Sequence, residues 1–597
     1  MRLPTDSRTL GLWLGAVAIT VAACALVHDH TRLDSASFDE PSHIHAAYLQ
    51  VFHHNGISNM EHPPLAKEVA GLGLLFCRPA DTPAEPNLDF PNSGRRFLFG
   101  NRISPDTILA AARTPMLVFF ASVCLLVFGV ARRFFGSVAG FLALFLIAFE
   151  PTLLAHAGIV HTDVPVSLFW LASVMAWGRV LERRSPGRVA VAGLLLGGAL
   201  ATKFSAIYLL PTFALVALAI RAVNTRKLPR TDSPSRLSVF GGALGRDLLA
   251  GIGTAAIGFT TVLLVYQVVV SGFSVAQQQA VIRRMVGGYE RAPVLANRLA
   301  AISPVSKALA HFLGGIAVVG RQSAVGGGLS FLNGKISVEG FPFYFFEAFA
   351  VKTAIPFLLL SVAALGLLPF RRVEPRDALL WVPVLYYFLF SMGSSYNIGI
   401  RHLLPVYPFL AIAGSRVPHE IASRFPGMNA RRKAVAIGAV VLLAAFQVAT
   451  ALSAHPFELS YFNTFGGGTG NGYRLLTDSN TDWGIDLRRL AIELNRRKVS
   501  TATICYFGVD PVQARTGIPD FTADGRLRGD FVTMSTTLWD IGPAFYAVNH
   551  RPDLGRRLSL LIRLLRTRGT FVGRIGGSTL LYRLPVAPDP ISDILRR

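Results

Sequence analysis

The ionisable side chains able to do chemistry fall into a few short blocks. The first is Phe38-Asp39-Glu40-Pro41, followed by His43, His45, His53 and His54 and then by Glu61-His62-Pro63-Pro64-Leu65-Ala66-Lys67. A carboxylate such as Asp39 or Glu40 can act as a general base on a hydroxyl once a water-poor cleft tunes its pKa. Solvated loop acids have the same spelling, so the residues alone leave both readings open. A second block runs from Glu150-Pro151-Thr152 to His156 and on to His161-Thr162-Asp163-Val164-Pro165. Asp163 stands at the mouth of an apolar stretch, where an ionisable group is expensive to bury and usually marks function. Lys203 interrupts the apolar stretch 189–222 at its middle, either as a tight turn or as a cation at the lipid headgroup level. The remaining blocks are Asn333-Gly334-Lys335, the aromatic run Phe341 to Phe346, Lys352, and Asn397-Ile398-Gly399-Ile400-Arg401-His402. Tyr344 lies in the aromatic run and reads as an interfacial anchor first and a site residue second.

Apolar segments position these blocks. The 597 residues are 52% hydrophobic and only 16% charged, whereas soluble chains carry about a quarter charged residues. Apolar runs fall near 10–28, 107–131, 137–150, 164–181, 189–202, 205–222, 248–271, 346–369, 379–393, 403–415 and 434–452. Several are shorter than the ~20 residues of a straight span, which leaves their ends soft. The net charge of +23 is concentrated in the gaps between runs: Arg132 and Arg133, Arg183 to Arg188, Arg221 to Arg246, Arg371 to Arg376, and Arg416 to Lys433. That is the positive-inside pattern of cytoplasmic loops, and it removes the case for nucleic-acid binding. With the N-terminus cytoplasmic, eleven crossings leave 29–106, 151–163, 272–345, 394–402 and 453–597 outside. Of the fourteen histidines only His419 falls in an expected cytoplasmic loop.

After residue 452 the pattern becomes that of a small α/β unit. A helix is expected over 484–497 with Asp482 as its cap, strands over 501–507 and 531–536, a basic helix over 551–566, and a hairpin around Gly576-Gly577. The expected fold class is therefore an all-α polytopic membrane domain of about eleven spans (1–452), with a small extracytoplasmic α/β domain (453–597). Four cysteines make no disulfide framework, although Cys77 and Cys505 both fall on the external side. The run ending Val21-Ala22-Ala23-Cys24 has the look of a lipoprotein box but reads as a retained signal anchor.

The ordered succession of Asp39-Glu40, His62-Pro63-Pro64-Leu65, Thr162-Asp163, Lys203-Phe204-Ser205, Gly399-Ile400-Arg401-His402-Leu403-Leu404-Pro405 and Asp478-Ser479-Asn480-Thr481-Asp482-Trp483-Gly484 resembles bacterial family 39 glycosyltransferases. These are relatives of protein O-mannosyltransferases and of the lipid A aminoarabinose transferase, in the glycosyltransferase C superfold. The resemblance covers about residues 10 to 500.

It implies a sugar donor carried on a polyprenyl phosphate, an acceptor glycan, lipid or protein outside the cytoplasm, and single displacement at the anomeric carbon. A bacterial inner-membrane location follows from the same resemblance. By the same resemblance Asp39 is the expected general base, positioned by Glu40, with Asp163 near the same centre. Arg401, Lys203 and Lys67 are the expected phosphate-binding cations, and Glu61, His62, Tyr344 and His402 are substrate-site candidates. Glu61 also resembles an acid that approaches a metal, which leaves a divalent ion open, although no compact zinc spacing is present. No cofactor is otherwise required, and no dinucleotide fingerprint lies between a strand and a helix. The long luminal insert of eukaryotic O-mannosyltransferases is missing, so a protein acceptor is not specifically supported. A secondary transporter or lipid flippase is the rival reading, weakened because no repeat relates two halves of the chain.

Overall fold

In the computed structural model the described residues are 7–81, 90–226, 236–287, 292–325, 328–423 and 430–584. Part of the expected cytoplasmic gap Arg221 to Arg246 and the end of the expected 453–597 segment therefore lie outside the described residues. Every apolar run identified above contains helix. Several of these helices open with proline in the first turn, at Pro105, Pro151, Pro186 and Pro375. Its missing N–H costs nothing there. Ser104 and Ser185 cap two of them by accepting the backbone N–H groups of Thr107 and Arg188.

The expected count of eleven crossings is not what these helices establish. Six are long and apolar enough to cross a membrane: Ser7–Thr31, Pro105–Phe135, Asp163–Glu182, Phe204–Arg226, Ser238–Val269 and Ala434–Ala454. A seventh is reached if Ser137–Ala148 and Pro151–Ala157, bent by 62°, count as one span. The other expected spans form shorter or broken helices, among them Pro186–Leu200, Ile355–Gly366 and Tyr407–Ser415. Small residues let some of these pack closely: a Cβ on Gly193 or Gly197 would come within 2.6 Å of Ile257 or 2.5 Å of Thr261.

The arginine-rich gaps gather in two ionic clusters. Arg184 and Arg221 converge on Asp247. Arg371 and Arg416 hold Asp377 at 2.6 and 3.0 Å, while Arg376 donates to the Phe134 carbonyl. Helix Asp163–Glu182 ends at the first cluster and helix Leu117–Phe135 at the second. Both begin at the opposite end, where the acidic and histidine blocks lie.

Helix Ala430–Ala454 is not followed at once by the sheet. Residues 455–486 form a strap sewn to helix Tyr344–Lys352: Lys352 Nζ donates to the carbonyls of Leu459 and Asn480 at 2.8 and 2.6 Å. Asn463 donates to the Ala350 and Thr353 carbonyls. Only after the strap comes the sheet, with strands β1 (Ser330–Leu332) and β2 (Lys335–Ser337) forming a separate hairpin earlier in the chain. Strands β3 (Thr503–Cys505), β4 (Phe531–Ser535), β5 (Thr570–Ile575) and β6 (Thr579–Arg583) pair in the order β3-β4-β6-β5, with β3 parallel to β4 and the rest antiparallel. Alternation along the strands feeds two cores. Cys505, Val532 and Met534 face helices Thr536–Val548 and Pro552–Arg568, and Ile504 and Leu581 face helix Leu487–Arg496.

Two local expectations change. Asp482 is not the cap of helix Leu487–Arg496; its carboxylate accepts from Ser535 Oγ, and Asp486 takes the N-cap position. Cys505 is buried in β3 and, like Cys77, is a free thiol.

Candidate active site

The strap meets the first long loop, with the Ser35 and Phe38 N–H groups donating to the Ile485 and Trp483 carbonyls, and beside this junction lies a cavity of about 960 Å³. One wall is polar: Asp39, His43, Glu61, His62, His161, Arg401 and His402. The other lining is apolar and aromatic: Phe204, Ile207 and Tyr208 of the candidate span Phe204–Arg226, Ile316 and Val319 of helix Lys307–Val325, and Tyr387, Leu389 and Phe390 of helix Pro375–Met392. Gly508 and Val509, just beyond β3, close part of the rim.

Arg401 is the centre of the polar wall. Its Nη1 lies 2.8 Å from His161 Nε2 and 3.5 Å from Asp163 Oδ2, and its Nη2 lies 3.5 Å from Asp39 Oδ2. The guanidinium stacks 4.3 Å from the Trp483 ring, and Nε donates to Ser479 Oγ at 3.2 Å. Because an arginine can only donate, His161 Nε2 must accept, which puts the ring proton on Nδ1, 2.7 Å from Asp163 Oδ2. Asp163 also pairs with Lys203. The result is a continuous chain Lys203–Asp163–His161–Arg401–Asp39.

The strap positions this chain. Asn480 Oδ1 accepts the Ile400 N–H at 2.9 Å, and its Nδ2 donates to Tyr344 Oη at 2.8 Å. Ser479 Oγ donates to the Ile398 carbonyl at 2.7 Å. Gly399 is required between them, since a Cβ there would stand 2.2 Å from Ser479 Oγ. The Asp478–Gly484 motif is thus a cradle for Arg401. Burial, opposed by the Arg401 charge, pushes the Asp478 carboxyl up to about 6.

Of the expected site residues, Asp39, Glu61, His62, Lys203, Arg401 and His402 line the cavity. Four expected residues stand behind it. Glu40 is buried and saturated: it pairs with Arg113 at 2.6 Å and accepts from the backbone of Ser37 and Val160. It fixes the backbone next to Asp39 and does not line the cavity. Asp163 reaches the cavity only through Lys203, His161 and Arg401. Lys67, expected as a phosphate ligand, instead donates to the Asn59 carbonyl at 2.9 Å, the Asn59 side chain at 3.3 Å and the His62 carbonyl at 2.7 Å. Its three protons are used to shape the loop that carries Glu61 and His62. Tyr344 is buried rather than interfacial and holds Asn480, while its neighbour Phe345 faces the cavity.

His43, His161 and Trp483 are site residues that the sequence reading did not select. The histidines sat in quoted blocks, but nothing in their spacing said that residues 43, 62 and 161 would converge. They do, with ring nitrogens within 4.8 Å of one another. Burial, aided by the Lys67 and Arg401 charges, holds His43 and His62 well below the ordinary imidazole range, which favours the neutral form that ligates a divalent cation. Burial also raises the Glu61 carboxyl.

Residues 99–234 match the family model described as dolichyl-phosphate-mannose-protein mannosyltransferase. That stretch contains Asp163 and Lys203 but neither Asp39 nor Arg401, and it falls within the lineage that the motif order resembles. No curated protein matches the chain. Among solved structures the chain is similar to ArnT from Cupriavidus metallidurans bound to undecaprenyl phosphate, with 12% identity over 96% of this chain and 97% of that one and a TM-score of 0.44. It is also similar to the oligosaccharyltransferase of Archaeoglobus fulgidus in complex with zinc and sulfate, with 11% identity over 95% of this chain and 74% of that one and a TM-score of 0.41.

Proposed function

We propose that the chain is a multi-pass membrane glycosyltransferase that moves a sugar from a polyprenyl-phosphate carrier to an acceptor hydroxyl outside the cytoplasm, in a bacterial inner membrane. The observation that carries the proposal is the amphipathic cavity: a carboxylate and a guanidinium share its lining with aromatic and aliphatic side chains, Phe204, Ile207 and Tyr208 coming from a helix long and apolar enough to cross a membrane. A lipid phosphate has that same division, with its isoprenoid chain matched to the apolar wall and its anionic head to Arg401 and Lys203. The family match over 99–234 supports the transferase class.

Asp39 accepts the acceptor's proton as the hydroxyl oxygen attacks the anomeric carbon. The bond from that carbon to the phosphate oxygen breaks, and the phosphate leaves with the bonding electrons, which inverts the centre. Arg401 donates two N–H groups to the departing phosphate, where developing charge is best stabilised by preorganised donors. Lys203 adds a second positive charge. Asp163 keeps Lys203 and His161 in place and takes no part in bond making.

The decisive experiment incubates purified full-length protein with a panel of radiolabelled polyprenyl-phosphate sugars and bacterial envelope extract. Transfer of label to an extract component, abolished by Asp39→Asn, is expected. Carrier movement across vesicles without any sugar transfer would instead establish the transporter reading.

A further inference from the structure

Three imidazoles not used as base or phosphate clamp meet on the polar wall. His43 comes from helix Glu40–His53, His62 from the loop ahead of Pro63, and His161 from the turn ahead of Asp163. The ring centroids stand 4.6, 4.9 and 5.5 Å apart. His43 is buried, and neither of its ring nitrogens has a hydrogen-bond partner. A buried polar atom left so costs about 1–3 kcal/mol, which ring contacts do not offset. Glu61 Oε2, on the same wall, is also buried without a partner.

We propose that His43, His62 and His161 bind one divalent transition-metal ion of the zinc type at the polar end of the cavity. His161 is prepared for it: Asp163 Oδ2 stands 2.7 Å from Nδ1, behind the ring, and Nε2, which now accepts from Arg401, is the ligand atom. A carboxylate behind a ligating imidazole is the usual outer partner at such centres. Binding there displaces Arg401 Nη1 from Nε2 and leaves the guanidinium its contacts with Ser479 and Trp483. Ligand nitrogens around a tetrahedral zinc at ~2.0–2.1 Å are about 3.3 Å apart, so nitrogens now within 4.8 Å of one another close by up to about 1.5 Å on binding. Imidazole donors select zinc, cobalt, nickel or copper, whereas magnesium and calcium require oxygen. Three histidines leave a fourth position open towards the cavity, where a bound ion supplies a Lewis acid to an anionic oxygen. The site ties the first loop to the second across the place where Asp39 stands.

The test reads metal alone, with no sugar present, so it and the transferase proposal fail separately. Full-length protein in detergent is stripped with a chelator and titrated with cobalt(II). One cobalt per chain with visible bands of a low-coordinate site is expected, displaced by one equivalent of zinc and not by excess magnesium. His43→Gln and His62→Gln should each lose the bands, His53→Gln should keep them, and Asp163→Asn should weaken binding by about 10–100-fold. Thermal melting confirms that each variant is folded, and partly exposed His62 serves if the His43 variant is not. Absence of the bands in the wild type, their survival in both folded ligand variants, or equal competition by magnesium would overturn the proposal.

Discussion

Arg401 Nη2 lies 3.5 Å from Asp39 Oδ2, although 362 residues separate the two in the chain. The pair lines a cavity that also has apolar lining, so a carboxylate and a guanidinium share one space, the first proposed as proton acceptor and the second as hydrogen-bond donor to a phosphate. It also gives the two residues different failure modes.

Asp39→Asn keeps the shape of the side chain and removes its basic oxygen. Turnover should fall by about 10² to 10⁴ while donor affinity stays within a few-fold, because general-base catalysis contributes that much to the rate. Asp163→Asn should behave otherwise, lowering donor affinity and thermal stability together, since Asp163 neutralises Lys203 and orients His161. Single-turnover assays with a lipid-linked sugar, paired with melting curves, separate the two; collapse of turnover in the Asp163 variant alone would reverse their roles.

Arg401→Lys should lose most activity in a protein that still folds. Lysine keeps one charge, but it cannot offer two parallel N–H groups to a phosphate or lie flat on Trp483. Wild-type donor affinity in this variant, measured by equilibrium binding of a polyprenyl phosphate, would contradict the assignment.

Glu40→Gln should act on stability first. It leaves the buried Arg113 without its carboxylate, a change that costs about 3–5 kcal/mol for pairs of this kind. Adding Arg113→Met should recover part of the loss, since the penalty comes from the orphaned charge and not from the missing pair. Melting temperatures of the two variants in one detergent provide the check.

His402 gives a pH signature. Burial, then the charges of Lys203 and Arg401, holds its imidazole well below the ordinary range, with Asp163 pulling weakly the other way. The unfolded chain therefore binds a proton that the folded chain refuses. The stability this neutral ring contributes is intact above about pH 6.5 and is lost as pH falls below it. Relative to wild type, His402→Gln should gain up to about 1.4 kcal/mol per pH unit between pH 6 and 5. Parallel wild-type and variant stability curves across that range would show that His402 titrates normally.

The sequence by itself determined the membrane character, the clustering of arginine in gaps between apolar runs, and most elements of the last hundred described residues, because these depend on local periodicity and charge. It also pointed to Asp39, Lys203, Arg401 and Glu61, whose short motifs are continuous in the chain. The number of spans is not fixed by it: at the buried Glu150 and Pro151 the chain bends by 62° within a run whose composition alone reads as spanning. The helix Thr536–Val548, with Pro543 inside it, was likewise illegible. Tertiary structure alone decided which charged residues face the cavity. Lys67 and Arg401 are both buried cations beside proline-containing motifs, yet loop carbonyls consume every donor of the first, while Ser479, Trp483 and His161 aim the second at the cavity. The strap that does the aiming lies about eighty residues further along the chain, and so does its information. The meeting of His43, His62 and His161 likewise arises only where two loops cross, a contact between distant segments that no local pattern encodes.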